Sequence, residues 1–269
     1  MFLNGETQLY PILGDPIAQV RSPQFLTALL HQRGINAQVP PFHVSSNDFA
    51  GVIHALKQVQ NVKGFVITIP HKIPSLDVCD QVSERAQFIG SVNIIHKSED
   101  GLLHGDNVDG LGYLDGIEKE GFSVFNKRAL LIGAGGAGSA VAFEILQRGA
   151  THLSVYDVDT QRLERLINAL NLHFPGQASL GSTNPEGYDL IANVTPVGMR
   201  PNDPYPVEVE KLLPHQFIAD AITKPEISPM VEYARSLGCN TMVGAGMFNA
   251  EAEILVDFMV TGGVAQHTK

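Results

Sequence analysis

Blocks of apolar and polar residues follow one another in a repeating order along this chain. Residues 9–13 are an apolar run closed by Gly14-Asp15-Pro16, which predicts a strand and then a turn. Residues 23–32 place apolar side chains at helical spacing, so a helix is expected with Ser22 as N-cap and Pro23 in its first turn. The same reading gives a strand at 37–44, a helix at 47–58, and at 63–69 a β-branched run suited to a strand buried on both faces. A helix at 77–89, a strand at 91–96 and a hairpin-like return at 101–106 follow, then a helix at 109–120. Short apolar segments at 153–156, 190–192, 216–220 and 241–243 predict further β–α units, with an amphipathic helix at 247–260 and a proline-rich surface loop at 200–206. Strands alternating with helices in this way imply an α/β fold with a mostly parallel sheet.

The sharpest local pattern is residues 130–138, Leu-Leu-Ile-Gly-Ala-Gly-Gly-Ala-Gly. Gly133, Gly135 and Gly138 keep the spacing G-x-G-x-x-G between a predicted strand and a predicted helix at 139–148. In that setting the first glycine makes the turn, the second lets a pyrophosphate approach the main chain, and the third lets helix and strand pack closely. The helix N-terminus then offers N–H groups to the phosphates. A dinucleotide-binding Rossmann domain is expected. Asp157 closes the next strand, 152–156. A carboxylate there accepts hydrogen bonds from ribose hydroxyls and repels a 2′-phosphate. Arg162 is the nearest cation, and Asp159 suffices to cap the helix at 160–170. Asp157 should therefore be free for the ribose, and NAD is expected over NADP.

With 269 residues, two domains are the natural division, and a boundary near residue 107 separates 1–107 from a Rossmann domain at 108–246. Hydrophobic content of 44% with 17% charged residues fits a soluble globular chain. No segment approaches the roughly 20 apolar residues of a membrane span, and the opening Met-Phe-Leu-Asn-Gly-Glu lacks the marks of a secretory leader. Cys79 and Cys239 make no metal or redox spacing, which favours a reducing, cytoplasmic setting. The formal charge of −10 argues against nucleic acid as partner. The histidines show no ligand spacing, so no metal is expected.

Taken together, several motifs resemble the shikimate dehydrogenase family: Gly14-Asp15-Pro16-Ile17 with Ser22-Pro23, Thr68-Ile69-Pro70-His71-Lys72, Val92-Asn93, Gly105-Asp106-Asn107-Val108-Asp109-Gly110, the Gly133–Gly138 segment, Asn193-Val194-Thr195-Pro196-Val197-Gly198-Met199, and Gly246-Met247. The resemblance implies an N-terminal α/β substrate domain, a Rossmann domain, and a last helix, 247–269, returning to the first. It implies reversible oxidation of a ring hydroxyl of shikimate, quinate or a related cyclic hydroxy acid. Lys72 and Asp109 would then be the catalytic pair, with Ser22, Thr68 and Asn93 on the substrate. Gly133, Gly135, Gly136, Ala137, Gly138, Asp157, Thr195, Pro196, Met199 and Gly246 would face the dinucleotide, and Met247 would wall the nicotinamide end. Lys72 follows Pro70 at an apparent helix start, where the dipole disfavours an ammonium. A monomer or homodimer acting on a small molecule is expected.

Five positions depart from the family pattern. Val20 stands for the first serine of Ser-x-Ser-Pro, Val66 for Asn, Val108 for Thr, Thr223 for Tyr and Glu251 for Gln. Each lost hydrogen bond to a buried polar group costs on the order of 1–3 kcal/mol. Arg21 is a candidate replacement for holding a carboxylate, and Glu251 for meeting a hydroxyl-rich or cationic part of the ligand. Three alternatives stand beside the main reading: quinate or an amino-substituted relative as ligand, a catalytically weak dinucleotide-binding sensor, and a folate-linked dehydrogenase of similar shape.

Overall fold

The computed structural model describes residues 3–263. The chain divides into two compact units, one formed by residues up to Val108 together with those from Ala252 onward, the other by Asp109–Glu251.

In the first unit the expected strand at 9–13 is two pieces, β1 (Gln8–Leu9) and β2 (Ile12–Gly14), parted where Pro11 has no N–H to give a ladder. Helix α1 is Ser22–Gln32, and its N-cap is Arg21 rather than Ser22. Arg21 is already right-handed helical, and no side chain caps the start. The run 37–44 likewise splits around Pro40 into β3 (Ala37–Gln38) and β4 (Pro41–His43), followed by α2 (Phe49–Lys57) and β5 (Gly64–Ile67). The helix expected at 77–89 is instead α3 (Ser75–Val78), β6 (Gln81–Val82) and α4 (Glu84–Ile89). The break has a local cause: Cys79 turns extended, and the Ser83 hydroxyl caps α4 by accepting the Ala86 N–H. Strands β7 (Ile94–Lys97) and β8 (Leu103–Asp106) form the expected hairpin. The sheet order is β4-β2-β5-β7-β8-β6, with β7 antiparallel to both neighbours, while β1 and β3 pair separately. Leu13, Phe49, Ile53, Phe65, Ile67, Val92 and Ile95 make its core.

The second unit opens with α5 (Asp109–Lys119), then β9 (Arg128–Ile132), α6 (Gly136–Gln147), β10 (His152–Tyr156) and α7 (Thr160–His173). It continues through β11 (Ala178–Leu180), β12 (Leu190–Asn193), β13 (Phe217–Asp220), α8 (Pro229–Ser236), β14 (Asn240–Met242) and α9 (Gly244–Thr261). The order β11-β10-β9-β12-β13-β14 is parallel throughout, the doubly wound arrangement whose switch point lies between β9 and β12. Sequence reading overlooked β11 and α8 and started α9 three residues late. Helix α9 crosses the boundary between units at Glu251 and Ala252. The last six residues of the expected closing segment lie outside those described.

Helix α5 is buried along most of its length. A methyl on Gly110 would sit 2.2 Å from the Ala140 carbonyl oxygen, and one on Gly112 2.6 Å from the Glu251 Cβ. Bare backbone thus lets α5 press against both α6 and the start of α9. Arg148, on the α6 side, pairs with Asp115 at 2.6 Å, Glu118 at 2.9 Å and Glu144 at 2.8 Å, clamping α5 to α6.

Candidate active site

In the second unit the glycine-rich segment joins β9 to α6. Gly133 has φ of 112° and donates its N–H to the Tyr156 carbonyl at 2.8 Å. A methyl on Gly138 would meet the Gly133 carbonyl oxygen at 2.1 Å, so turn and helix touch through main chain. Gly135 is different: nothing lies within 4 Å of a methyl built on it, and its φ is an ordinary −74°. Gly136 is equally open. Nothing inside the protein asks for glycine at 135, whereas a ligand lying on the backbone does. Because α6 begins at Gly136 rather than at the expected 139, and no side chain caps it, the Gly136, Ala137 and Gly138 N–H groups have no intrahelical partner. These residues fit a pyrophosphate.

Asp157 is not the free carboxylate that the sequence led one to expect. Its side chain is 5% exposed. One oxygen accepts the Ala134 N–H at 2.7 Å; the other accepts the Asp159 N–H and Arg162 Nη2, both at 2.8 Å. Burial raises its pKa, but the Ala134 N–H, the Arg162 guanidinium and the Asp159 N–H together hold it below the usual carboxylate range. Arg162 folds back because α7 starts one turn earlier, capped by Asp159 accepting the Arg162 N–H at 3.0 Å.

After β12, the Asn193 carboxamide oxygen accepts from the Thr195 N–H at 3.1 Å and hydroxyl at 2.7 Å, and its Nδ2 donates to Asp220 at 3.1 Å. Asp220 also accepts from Ser228 Oγ at 2.6 Å and the Ile222 N–H at 3.0 Å. Burial pushes the Asp220 carboxyl up despite these bonds. This network shapes the turn that leaves Pro196 and Met199 exposed. Sequence reading named Thr195, Pro196 and Met199 but gave no role to Asn193 or Asp220. Their signal was a polar residue closing each of two wholly apolar strands. Gly246 lies in the first turn of α9, where a methyl would meet Met242 Cγ at 2.8 Å; packing accounts for it. Asp109 opens α5 and is buried, Glu251 is half-buried over Gly112, and Met247 is half-buried.

In the first unit, Thr68 follows β5. A methyl on Gly14 would lie 2.5 Å from Thr68 Cγ2, so Thr68 and the turn leading to Arg21 and Ser22 meet at the carboxyl ends of β2 and β5. Arg21 is exposed and Ser22 half-buried. Lys72 lies in a turn ahead of the four-residue α3, and not at the start of a helix as expected. Its carbonyl accepts the Val92 N–H at 2.8 Å. Beside it, buried His71 stacks on Phe49 at 4.5 Å and its Nε2 lies 2.7 Å from the Val44 carbonyl. Asn93 is buried, and its carboxamide oxygen accepts the Val108 N–H at 3.0 Å. Val66 sits between Ile12 and Ile94 in the sheet, and Val66 and Val108 are both buried. Among the described residues there is no cluster of three metal-ligating side chains, and no helix long and apolar enough to cross a membrane.

Residues 12–95 match the shikimate dehydrogenase substrate binding domain. A shikimate dehydrogenase (NADP(+)) from Methanocaldococcus jannaschii is 32% identical over 251 residues, spanning 91% of this chain and 88% of that protein. Among solved structures, the ligand-free 5-ketofructose reductase of Gluconobacter sp. strain CHM43 is similar with a TM-score of 0.87 at 29% identity, covering 97% of this chain and 95% of that one. Quinate dehydrogenase from Corynebacterium glutamicum, in complex with NAD, gives 0.85 at 26% identity over 96% and 95%. A likeness that runs through both units, and not the glycine segment alone, places the chain in the shikimate dehydrogenase family.

Proposed function

We propose that this protein is an NAD-dependent dehydrogenase that reversibly oxidises a ring hydroxyl of shikimate, quinate or a related cyclic hydroxy acid. The observation that carries the reading is the open backbone at Gly135 and Gly136, small residues that neither crowding nor strain explains. A bound nicotinamide dinucleotide supplies the acceptor for the hydride leaving the ring carbon. Gly136, Ala137 and Gly138 give N–H groups to its pyrophosphate, and the Asn193-supported turn carries Thr195, Pro196 and Met199 toward its nicotinamide end. Lys72 Nζ takes the hydroxyl proton and the Asp109 carboxylate holds that hydroxyl in line, roles supported by family membership. Ser22, Thr68 and Asn93 position the ring.

NAD is favoured by charge. Asp157 and Asp159 stand beside a single guanidinium already committed to Asp157. A 2′-phosphate would have to draw Arg162 off a nearly buried carboxylate. The Methanocaldococcus relative is named for NADP(+), as are those from Alkaliphilus oremlandii and Geobacter sulfurreducens, while the Corynebacterium structure holds NAD; the relatives lean toward NADP, and the charge around Asp157 is what favours NAD here. A second reading, an uncharged ring or keto-sugar substrate, is favoured by Val20 in place of a carboxylate-binding serine and by the likeness to 5-ketofructose reductase. A mere sensor would not need the proton-handling pair Lys72 and Asp109, both present here. The test is a screen of shikimate, quinate and uncharged ring alcohols with NAD and with NADP, following absorbance of the reduced nicotinamide. Turnover of a ring acid with NAD is expected, and inactivity with every alcohol overturns the reading.

A further inference from the structure

Three consecutive residues ahead of Asp109 are each held by side chains of the first unit. Buried Asp106 receives four donors among the described residues: Ser83 Oγ, Arg85 Nε at 2.9 Å, Arg85 Nη2 at 3.1 Å and the Asn107 N–H at 2.7 Å. The Asn107 carboxamide donates to Ser91 Oγ at 2.9 Å. The Val108 N–H donates to Asn93 at 3.0 Å. Ser83 also caps α4, so this grip is tied to a helix start and not to a loose loop.

Such an arrangement is more than a chain connection requires. A nearly buried carboxylate paired with a partly exposed guanidinium gains little net stability over apolar packing, but the pair fixes geometry, because the planar fork accepts one orientation of its partner. Here the orientation fixed is that of the main chain at Asp106, three residues before the proposed proton-handling carboxylate. We propose that Arg85, Asp106 and Ser83 form a positioning device that sets the place of the Asp109 carboxylate, with Asn107 and Asn93 carrying its hold forward through Val108. None of the three touches a reacting atom; they are positioning residues. The proposal rests on the role given above to Asp109.

The test uses the full chain with Arg85→Lys, which keeps the charge and loses the fork, and Arg85→Ala. A displacement of about 1 Å at a reacting group costs on the order of 10²-fold in rate. Arg85→Ala should therefore lower kcat about 10²-fold and Arg85→Lys about tenfold, with KM for the dinucleotide unchanged and the pH profile of kcat displaced. Added methylguanidinium should restore part of the Arg85→Ala rate. If both variants lose thermal stability while kcat and pH profile of the folded protein stay at wild-type values, the residues are merely structural and the proposal falls. If the wild-type protein oxidises no ring alcohol, the functional reading fails separately. The device is then judged on amide hydrogen exchange at Val108 and Asp109: about tenfold faster exchange in Arg85→Lys supports it, and unchanged exchange overturns it.

Discussion

Asp157 and Arg162 form one ion pair through which stability and the proposed cofactor choice can both be tested. The folded-state pKa of Asp157 lies below its unfolded value. Its stabilising contribution is therefore present above the unfolded carboxylate range and is lost as pH falls through the folded pKa. Asp157→Ala should be less stable than the wild type at pH 6, and the gap should close as the buffer is taken below the usual carboxylate range; a gap that persists there would mean the deficit is not ionic. On the proposed cofactor choice, the same substitution removes the charge that opposes a 2′-phosphate, so the ratio of NAD to NADP affinity should fall about tenfold or more in a binding titration, equivalent to about 1.4 kcal/mol. At Lys72 the expectation concerns rate alone. Lys72→Ala should lower turnover about 10²–10⁴-fold with dinucleotide affinity nearly intact, and unchanged turnover would remove it from proton transfer.

At the level of elements, glycines that look alike in sequence separate into two kinds. Gly135→Ala meets no atom within 4 Å and should leave the melting temperature almost unchanged while weakening dinucleotide binding at least about tenfold, by loss of close approach. Gly112→Ala drives a methyl to 2.6 Å from the Glu251 Cβ and 2.8 Å from its Cα. It should cost about 1–3 kcal/mol by overpacking α5 against α9. Calorimetry with and without NAD distinguishes the two. The glycine spacing, the apolar strands β9 and β12 and the capping Asp159 were legible in the sequence because each depends on neighbours a few positions away. What escaped was non-local. Arg162 turns back onto Asp157 only once α7 is in place. Ser83 splits a predicted helix because β6 finds a partner in β8. Asn193 and Asp220 meet because β12 and β13 lie side by side. Val66 and Val108 are both buried, and neither belongs to the apolar cluster that holds Phe65 and Ile67.

For the whole molecule, the mostly parallel α/β pattern was legible in the sequence, the expected hairpin of β7 and β8 supplying the antiparallel pairs of the first sheet while the second is wholly parallel. Dinucleotide binding should act on the second unit. At a hundred times its Kd, NAD should add about 2.7 kcal/mol to that unit's stability. Amide exchange should slow around residues 133–138, 157–162 and 193–199; protection confined to the first unit would contradict the assignment. One property of α9 bears on how the molecule is made. Its later turns supply Glu253 and Asp257 as partners of Arg33, and the Met259 carbonyl accepts from Tyr10 at 3.0 Å. Arg33 and Tyr10 thus wait during synthesis for partners more than two hundred positions later. On the ribosome the stretch from Asp109 to Glu251 has its whole sequence in hand first and can reach its native form as an uninterrupted insert. The first unit is completed only when α9 emerges.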